Sequence, residues 1–186
     1  MERLPTKLDG LVLIAPKKHG DERGFFMETF RADAAVQHGV PTEFVQDNHS
    51  RSRRGTLRGI HFQTHPGQGK LVRVARGRVL DVAVDLRRGS PTFGEWESFE
   101  LDDVRGHQLW IPIGFGHGFC VLSEEADFVY KCTAYYDAAT ESGIKFDDPD
   151  VGIEWPRAVE LLYSERDRIA PTLAELADSL PFTYGA

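Results

Sequence analysis

The chain has 186 residues, 41% of them apolar, and a formal net charge of −7. That composition fits a globular chain with a sizeable core and argues against a disordered protein. The acidic balance argues against nucleic-acid binding, which wants a basic face. Two cysteines, Cys120 and Cys132, form neither a disulfide framework nor a Cys-x-x-Cys pair, so a reduced, cytoplasmic protein with two small buried cysteines is expected. Met1 to Gly10 holds no apolar core of a signal peptide, and no apolar run is long enough to span a membrane. No repeat, linker or low-complexity segment interrupts residues 1–186, which are read as a single domain.

In chain order, Leu11 to Ala15 reads as a first strand and His19 to Gly24 as a polar turn. Phe25 to Phe30 reads as a second strand, and Arg31 to His38 as a short helix closed by Gly39. Phe44 to His49 is extended and unusually polar. Leu71 to Leu86 reads as a hairpin turning at Arg76-Gly77-Arg78. Its second arm alternates, with Leu80, Val82, Val84 and Leu86 on one face and Asp81 and Asp85 on the other. Ser90 to Gly94 is a loop. Trp96 to Leu101, Leu109 to Pro112, Phe119 to Leu122 and Asp127 to Tyr136 are further strands, and Asp147 to Pro149 is a turn. Leu173, Leu176, Ala177 and Leu180 mark one tail helix beginning near Pro171. About nine or ten short strands, with helix only near the ends, predict an all-β sandwich or barrel.

The stretch Arg54-Gly55-Thr56-Leu57-Arg58-Gly59-Ile60-His61-Phe62-Gln63 is the centre of the chain. Alternation places His61 and Gln63 on one face and Ile60 and Phe62 on the other, as in a strand whose polar face lines a wet space. Strict alternation sets Arg58 opposite His61, and a bulge at Gly59 would bring them together. A second histidine, His117, lies in Pro112-Ile113-Gly114-Phe115-Gly116-His117, the second signature of the cupin barrels. The first signature normally supplies His-x-His and a glutamate to a metal. Here it reads His61-Phe62-Gln63-Thr64-His65, with Gln63 in a ligand position and no glutamate nearby, so no metal site and no cofactor is expected.

Further motifs recur in order: Gln68-Gly69-Lys70-Leu71-Val72, Asp81 to Arg87, Ser90-Pro91-Thr92-Phe93-Gly94, and Pro112-x-Gly114-Phe115-x-His117-Gly118-Phe119. Tyr130-Lys131, Tyr135-Tyr136, Glu141-x-Gly143-Ile144, Asp147-Asp148-Pro149 and Gly152-Ile153-x-Trp155-Pro156 follow. The ordered set, spanning about residues 5 to 175, resembles the dTDP-4-dehydrorhamnose 3,5-epimerases. Gly116, where the family usually has alanine, is a visible departure. The resemblance implies a cupin-type double-stranded β-helix, a jelly-roll barrel with short helices near the N- and C-terminal parts. It also implies a homodimer acting on a dTDP-sugar without cofactor, in dTDP-L-rhamnose and polysaccharide biosynthesis.

It further implies roles. His61 is the general base, paired with Asp167; Tyr130 is the general acid; Lys70 sits by the keto oxygen. Arg23, Phe26 and Glu28 reach the nucleotide from the partner subunit. Gln46, Asn48, Arg58, His117, Tyr136 and Glu141 line the pocket. The residue types suit the chemistry. Epimerisation beside a ketone needs a base on one face of the ring and an acid on the other. Imidazole titrates near neutrality, and a carboxylate on its second nitrogen fixes the tautomer. The enolate needs a cation at its oxygen, which Lys70 supplies, and Arg58 suits a phosphate. If Asp127 to Tyr136 is one strand, Tyr130 and Tyr136 share a face.

Other readings stay open on sequence. A relative inverting only C3 or only C5 would use the same acid and base. A metal-dependent cupin would need a ligand beyond His61, His65 and His117. A non-catalytic sugar-nucleotide-binding cupin would keep Arg58 but need no acid–base pair. Taken singly, His61 and Tyr130 read as structural residues and Asp167 as a solvated acid; together in these motifs they read as a site.

Overall fold

A computed structural model describes residues 1–185. Thirteen strands and three short helices form two facing sheets and a separate hairpin. The strands are β1 (Glu2–Leu4), β2 (Val12–Ala15), β3 (Lys18–Asp21), β4 (Gly24–Met27), β5 (Gln46–Arg53), β6 (Leu57–Gln63) and β7 (Lys70–Arg76). Then come β8 (Arg78–Asp85), β9 (Trp96–Asp102), β10 (Gln108–Ile111), β11 (Phe115–Val121), β12 (Glu125–Cys132) and β13 (Glu141–Gly143). The helices are α1 (Ala32–Gln37), α2 (Glu165–Arg168) and α3 (Leu173–Leu176), the last running into a 3₁₀ turn at Ala177–Ser179. One sheet has the order β1-β2-β10-β7-β12-β5, the other β13-β6-β11-β8-β9. This is the cupin-type jelly-roll architecture expected from the sequence.

Packing explains which residues sit where. Between the sheets, Val72, Val74, Leu109, Ile111 and Phe128 meet Val79, Ala83, Leu101, Phe119 and Val121. A second apolar layer covers the outer face of the five-stranded sheet. There Ile60, Phe62, Val82, Val84 and Leu86 pack under Ile144, Leu173, Leu180 and Phe182. A third joins α1 to the six-stranded sheet through Ala35, Val40, Leu71 and Trp110. β8 is therefore buried on both faces: Leu80, Val82 and Val84 point outward under the C-terminal tail, while Val79, Asp81 and Ala83 point into the barrel.

Several sequence expectations change. Leu71 to Leu86 is not a hairpin, because β7 and β8 belong to different sheets. Only Gly77 separates them, and one residue is too short for the two-residue loop a hairpin needs. The chain turns a corner instead and crosses to the facing sheet. His19 to Gly24 is not simply a turn: Lys18–Asp21 and Gly24–Met27 pair as a projecting hairpin. β11 begins at Phe115, so His117 lies within a strand. β12 ends at Cys132, so Tyr136 sits on a loop rather than on the strand of Tyr130. The helix with a glycine after its C-terminus is present, as Ala32–Gln37, and Gly39 has φ +79. β1, β13 and α2 are too short for periodicity to reveal.

The bulge at Gly59 is present. His117 pairs with His61 and Phe119 with Arg58, so Gly59 and Ile60 of β6 oppose the single residue Gly118 of β11. Gly59 has φ +137, and a Cβ there would overlap the Gly118 backbone. Only glycine fits this close approach.

Candidate active site

β6 delivers His61 to the barrel interior because Ile60 and Phe62 are claimed by the apolar layer outside. A one-residue slip would drive both into the wet cavity and His61 into the apolar layer, so the register is fixed. The Gly59 bulge then turns Arg58 inward as well, and both line one cavity of about 570 Å³. Its walls include Lys70, His117, Phe128, Tyr130, Glu141, Tyr163, Arg166 and Asp167. A second chamber of about 360 Å³ is lined by Gln46, Asn48, Gln63, Gln68 and Tyr136. Ser50, His61, Lys70, Tyr130 and Glu141 border both, so the two chambers are arms of one cleft meeting at those side chains.

His61 Nε2 lies 2.7 Å from Asp167 Oδ1. Asp167 is only 4% exposed. It is held by α2, whose N-cap Ser164 accepts a hydrogen bond from the Asp167 backbone N–H at 3.1 Å. Burial pushes the Asp167 carboxyl up, but the His61 hydrogen bond and charge, with Ser164, outweigh it and leave it below its usual value. With Nε2–H donating to the carboxylate, Nδ1 is the nitrogen left to accept a proton.

Beside this pair lies a second one. His117 Nε2 is 2.9 Å from Asp81 Oδ2, both are buried, and the His117 ring stacks on Phe128. Lys70 opens β7 and borders both chambers; burial depresses its ammonium. Tyr130 projects from β12, and burial raises its phenol, so the hydroxyl stays protonated at neutral pH.

Glu141 joins three elements. Its Oε2 accepts from Tyr136 Oη at 2.7 Å and from Arg166 Nη1 at 2.6 Å, tying β13, the loop after β12, and α2 together. Burial opposes ionisation of Glu141, but the Arg166 and Tyr136 bonds prevail and its carboxyl is lowered. Tyr136 reaches the cleft because its loop is anchored twice. Its N–H donates to Gln46 Oε1 at 2.8 Å, and Gln63 Oε1 accepts from Asp137 N at 3.0 Å. Gln46 Nε2 also donates to Asn48 Oδ1. Arg58 donates to Ser52 Oγ from Nε and Nη2 at 3.2 Å.

The cleft thus gathers His61, Tyr130, Asp167, Lys70, Gln46, Asn48, Arg58, His117, Tyr136 and Glu141. It does not gather Arg23, Phe26 or Glu28. These belong to β4 and its flanks; Arg23 is paired with Asp21, Phe26 is 73% exposed, and neither chamber includes them. Among the described residues no His, Cys, Asp and Glu side chains cluster as a metal site. Gln63, in the ligand position of the metal cupins, spends its amide on the loop carrying Tyr136.

Two groups were not singled out from sequence. Arg166 is legible only indirectly, through Ser164-x-x-Asp167, a helix start that brings Arg166 with it. Asp81 was placed on a strand face without a partner; its parity with Val79 and Ala83 was the available sign of burial.

A family model described as dTDP-4-dehydrorhamnose 3,5-epimerase matches residues 5–175. The chain is 51% identical over 167 residues to the dTDP-4-dehydrorhamnose 3,5-epimerase of Methanothermobacter thermautotrophicus, covering 89% of this chain and 90% of that one. It is 50% identical over 182 residues to the same-named protein of Pseudomonas aeruginosa, covering 97% and 100%. The fold superposes with TM-score 0.95 on the dTDP-6-deoxy-D-glucose-3,5-epimerase of Legionella pneumophila in complex with dTDP-4-keto-L-rhamnose, at 47% identity, covering 100% and 99% of the two chains.

Proposed function

The chain belongs to the dTDP-4-dehydrorhamnose 3,5-epimerase family, and from that premise we propose how its cleft performs the reaction. The protein is an isomerase that inverts C3 and C5 of dTDP-4-dehydro-6-deoxy-D-glucose, giving dTDP-4-dehydro-β-L-rhamnose. The observation that carries the assignment of roles is the junction of the two chambers, where a histidine–carboxylate pair, a lysine and a phenol converge.

C3 and C5 both adjoin the C4 ketone, so one catalytic set serves both. His61 Nδ1 takes the proton from carbon, and the Asp167 carboxylate stabilises the imidazolium that results. The electron pair moves onto the C4 oxygen, where the Lys70 ammonium offsets the charge. Tyr130 returns a proton to the carbon from the opposite face, which inverts it. Solvent then resets His61 and Tyr130 before the second carbon reacts. Arg58, in the larger chamber with Arg166, suits the diphosphate; Gln46, Asn48, Tyr136 and Glu141 border the other arm, and His117 packs beneath the sugar.

Residues 1–186 act on this reading as one epimerase unit. Arg23, Phe26 and Glu28, on a hairpin away from the cleft, fit a homodimer in which each copy's hairpin reaches its partner's nucleotide. The cytoplasm, where sugar nucleotides are made, is the proposed compartment, and no helix among the described residues is long and apolar enough to cross a membrane.

The test is incubation with the 4-keto sugar nucleotide in deuterated water, followed by NMR. Deuterium at both C3 and C5 with L-configured product is expected. Inversion at one carbon would establish the single-site reaction instead, and binding without exchange would make the chain a sugar-nucleotide binder.

A further inference from the structure

Asp81 lies in the middle of β8, on the inward face with Val79 and Ala83, and is fully buried. Its neighbours across the sheet are Phe99 on β9 and Phe119 on β11, both apolar. A carboxylate this deep is costly unless its oxygens are matched. Oδ2 is matched by His117, but Oδ1 has no partner.

A cation with no ion-pair partner among the described residues stands in the facing sheet, on the cavity wall that also carries His117. Lys70 borders both chambers, and burial works against its charge. Three acidic groups act on its charge, in falling order Cys132 of β12, Glu141 of β13 and Asp81 of β8. His61, His117 and Tyr130 stand on the same cavity wall. The three acids are not equivalent. Burial pushes the Cys132 thiol up to about 11, so it carries no charge at neutral pH. Glu141 is already shared between Arg166 and Tyr136. Glu141 is thereby ion-paired with Arg166, whereas Asp81 keeps a fully buried carboxylate oxygen with no partner among the described residues. The acids and bases facing Asp81 are in turn His117 and Lys70.

We propose that Asp81 is a positioning residue of the epimerisation: it is the counter-charge that keeps Lys70 an ammonium at the sugar's carbonyl. The role rests on the reading of Lys70 given above. Each partner offsets the other's burial, since Asp81 is pushed up and Lys70 down by loss of water, and each draws the other back. Without Asp81, Lys70 would shed its proton at lower pH and the enolate oxygen would lose its cation.

The test follows lysine ε-carbon and aspartate carboxyl signals by ¹³C NMR in the wild-type protein without substrate. Loss of one lysine signal in Lys70→Met and one carboxyl signal in Asp81→Asn assigns them. At pH 7 Lys70 is expected as ammonium and Asp81 as carboxylate. A neutral Lys70 or a protonated Asp81 at that pH overturns the proposal, even if Asp81→Asn does not fold and the carboxyl is assigned by elimination. In folded Asp81→Asn, the Lys70 midpoint and the basic limb of the kcat profile should both move down by roughly one pH unit or more. A variant that is slower at every pH with neither midpoint moved would make Asp81 merely structural and overturn it. The titration needs no turnover, so its failure is distinct from failure of the epimerase reading, which the deuterium experiment reports.

Discussion

His61 Nε2 and Asp167 Oδ1 meet at 2.7 Å although 106 positions separate them in the chain. The histidine is held by a strand in the five-stranded sheet and the aspartate by a single capped helical turn in the tail. Neither residue reaches its place by local structure alone, and the carboxylate fixes the orientation of the imidazole.

Replacing His61 by Asn removes the base. Turnover should fall by about 10²–10⁴-fold. Binding of dTDP, measured by calorimetry, should be unchanged if, as proposed, Arg58 and Arg166 hold the diphosphate. Turnover close to wild type would assign the base elsewhere.

Asp167→Asn should lower kcat and alter stability in a pH-dependent way. The folded carboxyl lies below its usual value, so its contribution is present above the unfolded carboxylate pKa of about 3.9 and disappears as pH falls through the folded value. Urea midpoints of wild type and variant should therefore differ at pH 7 and converge below about pH 4. A gap that persists unchanged in acid would mean that Asp167 contributes through packing rather than charge.

Tyr130→Phe separates the two proton transfers. His61 can still remove a proton and return a deuteron to the same face, so substrate exchange with deuterated water should survive. Inverted product should fall much further than exchange. Equal loss of both would place Tyr130 in binding or proton removal, and normal inversion would make Tyr136 the next candidate acid.

Gly59→Ala tests the bulge. The backbone at φ +137 and the contact with Gly118 leave no room for a Cβ. A loss of about 2 kcal/mol or more is expected in denaturant unfolding. Any folded fraction should lose activity, because Arg58 and His61 no longer turn into one cavity. Wild-type stability in this variant would show that the strand accommodates the methyl group.

Dialysis against a chelator should leave the rate unchanged. His61 and His117 each give one ring nitrogen to a carboxylate, and Gln63 is committed to the loop of Tyr136. Loss of turnover restored by a divalent cation would contradict the acid–base route.

Much of the fold is legible in the sequence because strand alternation is a local property. Ile60 and Phe62 against His61, and Val82 and Val84 against Asp81, predict strands with two unlike faces, and the structure has them. Gly39 marks the end of α1 for an equally local reason. The bulge could be anticipated from Gly59, since strict alternation would have parted Arg58 from His61. Where periodicity misled, it was carried past a strand end: Tyr136 follows β12 on a loop and reaches the cleft through bonds to Gln46 and Gln63.

By itself the sequence determined which side chains face which way along each strand, together with the ordered motifs that identify the family. Both are properties of neighbouring residues. Only the tertiary structure decided that β7 and β8 part into opposite sheets at Gly77, so that Lys70 and Asp81 belong to facing sheets, with Asp81 bonded to His117 of the same cavity wall as Lys70. Only it brought Asp167 to His61 and Arg166 to Glu141. Those meetings depend on how the two sheets pack and where the tail lies over them. They are settled by burial of the apolar layers on both faces of the five-stranded sheet, which no local pattern encodes.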